Sequence, residues 1–288
     1  MKNFLKDQSA KLTPAQKKVL RYIFNNLEDS IFYTASALGR KTGVSEATII
    51  RLAQSLGYNG FPDFQKSLRE HLQERLTTVS RLEKALEHPE SSESLIGILR
   101  MDIKNISLMA ESVSEKTFQE IVTQLWKAKR IFVVGLRSAY SLAVYLKFGL
   151  RFLGKDVTIL EPAQWDPWDQ LIPLGNDNLV IGISFPRYAR MTIDAVAFAR
   201  ERKCRILAIT DSLVSPLTTY SDWILTAPCQ SYSYMDSFTA PMALIHTLLT
   251  AMSLKKPDKA LQAFKNLEEI WDREGVYYSP SNERLPLP

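Results

Sequence analysis

Residues 35–52 read ASALGRKTGVSEATIIRL, and this run decides the architecture of the first quarter of the chain. Ala35–Thr42 has the make-up of a short helix that stops at Gly43, and Ser45 is placed to cap a second helix running to about Leu56. Gly39 leaves room for the two helices to approach closely, while Gly43 supplies the positive φ of a tight turn. Leu38, Val44, Ile49 and Leu52 fill the space between them. The outward face then carries Ser45, Glu46, Ala47, Thr48 and Arg51, short or polar side chains able to lie in a DNA major groove. Arg51 reads as a contact to guanine or phosphate, Ser45 and Thr48 as phosphate contacts beside the helix N-terminus, and Arg40 and Lys41 as contacts to the DNA backbone.

The flanks complete a helical bundle. Thr13 and Pro14 open a helix over residues 13–28 with Val19, Leu20, Ile23, Phe24 and Leu27 on one face, and a further helix runs from Pro62 to about Arg75. Charge supports the same reading. Residues 1–75 hold 12 Lys+Arg against 7 Asp+Glu, whereas the rest of the chain is balanced, so the net charge of +5 sits in the first quarter. A basic module on a neutral body suits binding to a phosphate backbone, because each neutralised phosphate releases counterions.

Beyond residue 76 the pattern changes. Residues 76–93 turn polar, read as a helical linker with a break near Pro89, and give way to apolar runs alternating with helical stretches. The strands expected are Arg130–Val134, Val157–Leu160, Leu179–Ser184, Arg205–Thr210 and Trp223–Thr226. Helices are expected near Glu115–Ala128, Ala139–Leu153, Ala189–Arg202 and Phe238–Leu254, with one more pattern from Ala260 to Trp271 before a Pro-rich end. Such alternation predicts a parallel sheet flanked by helices on both faces, with ligands at the carboxyl ends of the strands. The fold class is therefore an α-helical helix-turn-helix bundle joined to an α/β domain with a five-stranded parallel sheet.

Three strand ends carry anion-binding groups. The first is Gly135, Arg137 and Ser138 at the start of a helix; the second is Ser184 with Arg187, Tyr188 and Arg190; the third holds Thr210 and Ser215. Hydroxyl and guanidinium groups converging on one rim predict a site for a small anionic metabolite. The Trp165-Asp-Pro-Trp-Asp169 segment could cover that pocket, although such tryptophans more often belong to a core or interface.

The composition, 45% hydrophobic and 23% charged, is that of a chain able to bury a core. No apolar run approaches the roughly 20 residues needed to cross a bilayer, and the N-terminus lacks the apolar stretch of a signal peptide, which predicts a cytoplasmic protein with no membrane partner. Cys204 and Cys229 stand in no metal-ligand pattern, so neither a metal nor a cofactor is expected. An aldose/ketose phosphate isomerase is the alternative, but that chemistry needs a proton shuttle. His71 and His88 lie outside the α/β half, His246 sits in an apolar run and reads as core, and Glu161 has no partner visible in sequence. No catalytic residue is assigned.

The run Val44-Ser-Glu-Ala-Thr-Ile-Ile-Arg-Leu52, followed by Leu56-Gly-Tyr-Asn-Gly-Phe-Pro-Asp-Phe64, closely resembles the N-terminal domain of RpiR/MurR-type regulators, whose pattern is VSxATVxRFxxxLGxxGFxxF. The resemblance makes Ser45–Leu56 the recognition helix and gives Gly57, Gly60, Phe61 and Phe64 a structural role. The second half resembles the SIS domain that these regulators carry, through Gly135, Ser138, Ala139, Lys147, Phe148, Ser184, Ser215, Pro216, Leu217, Ser221 and Asp222. It implies a helix-turn-helix domain over 1–76, a helical linker over 77–112, a SIS-like sensing and oligomerisation domain over 113–257 and a C-terminal helix and tail over 258–288. It also implies a double-stranded DNA operator, a phosphosugar-type effector and a homodimer or homotetramer. One departure is plain. The usual phosphate loop reads SxSGxT, but here it is Ser184-Phe-Pro-Arg-Tyr188: Pro186 has no N–H to donate and Tyr188 replaces a small hydroxyl residue. Arg187, with Arg137 and Arg190, would compensate by forked hydrogen bonds to a phosphate or carboxylate, so sugar acids stand beside sugar phosphates as the expected ligands.

Overall fold

The computed structural model describes residues 12–26, 30–74, 77–87, 94–161, 166–213 and 215–278. Helix α1 (Pro14–Asn25) starts at a reciprocal cap: the Thr13 hydroxyl accepts the Gln16 N–H at 3.3 Å, and the Gln16 side chain accepts the Thr13 N–H at 2.9 Å. Thr34 caps α2 (Ala35–Thr42), Ser45 caps α3 (Glu46–Ser55), and α4 (Phe61–Glu74) closes the bundle. Gly43 has φ 69°, and a Cβ on Gly39 would lie 2.8 Å from the Val44 carbonyl oxygen, so both glycines of the turn are sterically required. Val19, Ile23, Leu38, Ile49, Leu52 and Phe64 are buried together, each contributing about 1.5–3 kcal/mol of apolar burial. Gly60 carries no such demand, since its Cβ would meet only the Pro62 ring at an ordinary 3.7 Å.

Two linker helices follow, α5 (Thr78–Leu86) and α6 (Leu95–Ser112). Then come α7 (Glu115–Lys127), β1 (Arg130–Gly135), a 3-10 turn at Arg137–Ala139, α8 (Tyr140–Phe152), β2 (Asp156–Ile159), the short α9 (Pro167–Leu171) and β3 (Asn178–Ile183). The chain continues through α10 (Arg190–Glu201), β4 (Arg205–Thr210), a 3-10 turn at Pro216–Tyr220, β5 (Trp223–Thr226), α11 (Thr239–Lys255) and α12 (Pro257–Glu274).

The five strands form one parallel sheet in the order β2-β1-β3-β4-β5. Alternating residues of each strand feed two cores. Ile131, Val133, Ile181 and Ile209 pack under α7, α8 and α11, whereas Phe132, Val134, Val180 and Ile206 pack under α10. Burial on both faces is why the strands read as continuous apolar runs. Chain direction across the sheet reverses between β1 and β3, which makes their carboxyl ends the switch point where such sheets hold ligands. No helix among the described residues is long and apolar enough to cross a membrane.

Three expectations need adjustment. The helix expected over Ala260–Trp271 starts earlier and ends later, at Pro257 and Glu274. Helix α9 was not foreseen; Pro167 at its first position and Asp166, whose carboxylate accepts the Trp168 N–H at 2.9 Å, account for it. His246 is exposed rather than packed in the core, with Nδ1 3.2 Å from the Tyr145 hydroxyl; α11 is apolar nearly all round, so its sequence does not mark the buried face. Leu27, the break near Pro89, His88, Trp165, the Pro-rich end and the side chains of Phe24 and His71 lie outside the described residues.

Candidate functional site

In the head, α3 presents the face expected from its spacing. Ser45, Glu46, Ala47 and Arg51 are exposed and Thr48 is half-buried, while Ile49 and Leu52 point into the bundle. Ser45 spends its oxygen on the cap, accepting the Thr48 N–H at 3.3 Å, and stands 2.9 Å from the Thr48 hydroxyl. The Glu46 side chain completes the first turn, where a negative charge suits the helix dipole and opposes DNA phosphate. On α2, Arg40 bonds the Ser36 hydroxyl at 3.4 Å and Lys41 stands 5.8 Å from the centre of the Tyr33 ring; both are exposed. Ile50, 37% exposed, adds an apolar edge to the reading face.

At the sheet, register pairs Gly135 with Ile183, so the loops that follow β1 and β3 leave side by side at the switch point. Gly135 is confined: a Cβ there would lie 2.9 Å from the Ala139 carbonyl oxygen and 3.1 Å from the Ala143 Cβ. The first loop turns through Arg137 at φ 59° and the second through Arg187 at φ 62°, left-handed conformations that disfavour side chains with a Cβ. Both arginines and Ser138 are exposed at this rim. Ser138 lies in the 3-10 turn ahead of α8 rather than as that helix's cap.

Behind the rim the loops are tied together. Ser184 is buried; its N–H donates to the Ile209 carbonyl at 3.2 Å, and its carbonyl lies 2.7 Å from the Thr210 hydroxyl. That hydroxyl is also 2.7 Å from the Ser215 hydroxyl. Thr210 and Ser215 are thus placed to hold loops, not to face outward, and both are buried. Tyr188 donates its hydroxyl to the Asp211 carboxylate at 2.8 Å, which joins the second strand end to the third. Arg190 stands apart from this group, with a side chain 94% exposed and paired with Asp194 one turn along its own helix. Trp168 packs edge-on against Phe198 of α10.

Sequence reasoning missed Asp211, Asp236 and Arg81. The Asp236 carboxyl is pushed above the usual carboxylate range, chiefly by burial; Arg81 opposes the shift and Asp211 adds to it. The pair Arg81–Asp236 is 2.9 Å apart and well shielded. Glu161 is ion-paired with Lys147 at 3.5 Å, and its backbone is held on both sides by Gln170. Cys204 and Cys229 are free and buried, and burial pushes the Cys204 thiol upward. Among the described residues no group of His, Cys, Asp or Glu is arranged to hold a metal ion.

Known proteins show the same two parts. The helix-turn-helix domain of the rpiR family matches residues 1–75, and the SIS domain matches residues 124–251. A helix-turn-helix transcriptional regulator of Clostridium perfringens is 26% identical over 77% of this chain and 79% of its own length. HexR of Escherichia coli is 23% identical over 92% of each chain. Among solved structures, the sugar isomerase domain of an RpiR transcription factor from Sphaerobacter thermophilus is 28% identical with a TM-score of 0.58, covering 60% of this chain and 97% of that one. Vibrio vulnificus NanR complexed with ManNAc-6P is 20% identical with a TM-score of 0.55, covering 93% and 97%, and shares the fold. A capped helix in a basic head falls within the match to the rpiR-family helix-turn-helix domain, and the five-stranded sheet behind it falls within the match to the SIS domain, the two-part arrangement that this chain shares with the helix-turn-helix transcriptional regulators it resembles.

Proposed function

We propose that this regulator binds a double-stranded DNA operator through Arg40, Lys41, Ser45, Glu46, Ala47, Thr48 and Arg51, and that a small anionic metabolite in the SIS domain alters its affinity. The metabolite, a sugar phosphate or sugar acid of carbohydrate metabolism, sits at the β1/β3 switch point against Gly135, Arg137, Ser138, Ser184, Arg187 and Tyr188. The observation that carries this reading is the side-by-side exit of two loops, each turning through an arginine at positive φ. Guanidinium forks suit a phosphate or carboxylate where Pro186 removes a backbone donor. Thr210 and Ser215 support the loops from behind.

The protein works in the cytoplasm as a homo-oligomer, because one helix-turn-helix grips only one half-site. Exposed apolar residues on α6, Leu95, Ile96, Leu99 and Ile103, give a second copy a surface to cover. NanR's ligand is a phosphorylated sugar, which makes phosphosugars the first compounds to test here.

The deciding experiment is a mobility shift on promoter fragments flanking the gene, at low ionic strength, with and without ManNAc-6P, hexose phosphates, pentose phosphates and aldonic acids. A fold-change in affinity of about 5–150 is expected with one of them. Indifference to all DNA tested would sink the regulator reading. Conversion of a phosphosugar into its isomer in the same incubation would restore the enzyme alternative.

A further inference from the structure

We infer that the loop from Cys229 to Phe238, between β5 and α11, couples the strand-end site to the linker helices, and that Arg81 latches the linker to it. The inference rests on the effector reading above and names the path that reading requires.

The loop is gripped from the linker side at three points. Arg81 of α5 pairs with Asp236 at 2.9 Å, with side chains only 10% and 15% exposed. Asn105 of α6, fully buried, donates its amide to the Gln230 carbonyl at 2.8 Å. Asp102 of the same helix accepts the Ser237 hydroxyl. From the other side, the same loop meets the strand ends. Phe238 lies against Phe185 of the altered phosphate loop, ring centres 5.2 Å apart. Asp236 feels the charge of Asp211, which is the carboxylate that accepts the Tyr188 hydroxyl. A single loop of ten residues therefore touches both the element expected to respond to ligand and the helices that lead to the head.

Charge makes the contact switchable. Two carboxylates, Asp211 and Asp236, share a shielded region, and one guanidinium holds the second of them. Arg81 also keeps its Nε buried with no acceptor among the described residues, so its docking is incompletely satisfied. A ligand that moves Tyr188 or Phe185 changes the hydrogen bond on Asp211 and the seat of Phe238, and thereby the hold of Asp236 on Arg81. Residues 185–188 are the departure from the family's phosphate loop, so the same change that alters the ligand chemistry forms the first link of the relay.

Hydrogen exchange on the full effector-free chain tests this without knowing the ligand. Asp236→Asn is expected to raise exchange over residues 78–86 several-fold by loosening the latch. Tyr188→Phe, which keeps the ring and removes one hydrogen bond, is expected to change exchange over the same residues, as is Phe238→Leu. Gln262→Ala, on the exposed face of α12, serves as the control and is expected to change nothing there. Thermal unfolding confirms that each variant is folded. If Asp236→Asn alters residues 78–86 while folded Tyr188→Phe and Phe238→Leu both leave them at the wild-type rate, the relay is wrong; if none alters them, the latch is wrong too. Either failure leaves operator binding and its response to metabolite untouched, and loss of those would leave the exchange result standing.

Discussion

Thr210 shows how a residue type can be legible while its use is not. A hydroxyl at a strand's carboxyl end reads as a ligand contact, yet this one lies between the Ser184 carbonyl and the Ser215 hydroxyl and is fully buried. Thr210→Val keeps the shape and removes the hydroxyl, leaving a buried carbonyl and a buried hydroxyl short of partners. We expect a loss of about 1–3 kcal/mol, read as a lower denaturant midpoint with an unchanged slope. Stability equal to wild type would mean that water or local movement replaces the tie, and that Thr210 remains open to a ligand role. Arg190 makes the same point from outside. Its place after the second strand suggested an anion clamp, but at the first position of α10 its side chain is 94% exposed and pairs with Asp194 one turn further along. Sequence gave the chemistry of these groups; which neighbour each would meet depends on loops folded from distant segments.

At the level of elements the record is uneven for physical reasons. The sheet was readable because parallel strands buried on both faces are unbroken apolar runs, and β4 and β5 have the expected ends while the others differ by one residue at one or both ends. The head was readable because Thr13 and Ser45 announce α1 and α3 as caps and Gly43 ends α2, while the Thr34 cap of α2 was found only in the structure. The linker was visible as helix but not as a docked element, since no local pattern says that Arg81 will meet Asp236 far along the chain. Nor does periodicity say what covers α6, whose Leu95, Ile96, Leu99 and Ile103 are 71%, 54%, 46% and 62% exposed in one chain. A helix this apolar on its outer side is costly in water, and the homo-oligomer of the proposed function would cover it with a second copy of the chain. Ile103→Glu places a charge in that surface without disturbing the monomer core. The expected outcome is a shift toward monomer in sedimentation velocity, with the circular dichroism spectrum retained. An unchanged oligomer would place the interface elsewhere, on the SIS sheet's own helices.

For the molecule as a whole, the charge asymmetry and the domain order set the terms of DNA binding. The basic excess lies in residues 1–75, so one head alone gives mostly salt-sensitive backbone affinity. On the proposed function, selectivity comes from two heads held at a fixed separation by the linkers and the SIS domains of an oligomer, and an effector would act by changing that separation. Half-sites of the operator should lie on one face of the duplex, with centres about 10 bp apart or a multiple of it. Inserting about 5 bp between them turns one half-site to the opposite face and is expected to weaken binding at least about tenfold, whereas inserting about 10 bp restores the facing and much of the affinity. Fluorescence anisotropy on a nested set of spacers at constant salt gives the comparison. Equal affinity at every spacing would mean that the heads search independently on flexible tethers, and a ligand in the SIS domain would then need some route to DNA other than the distance between two reading helices.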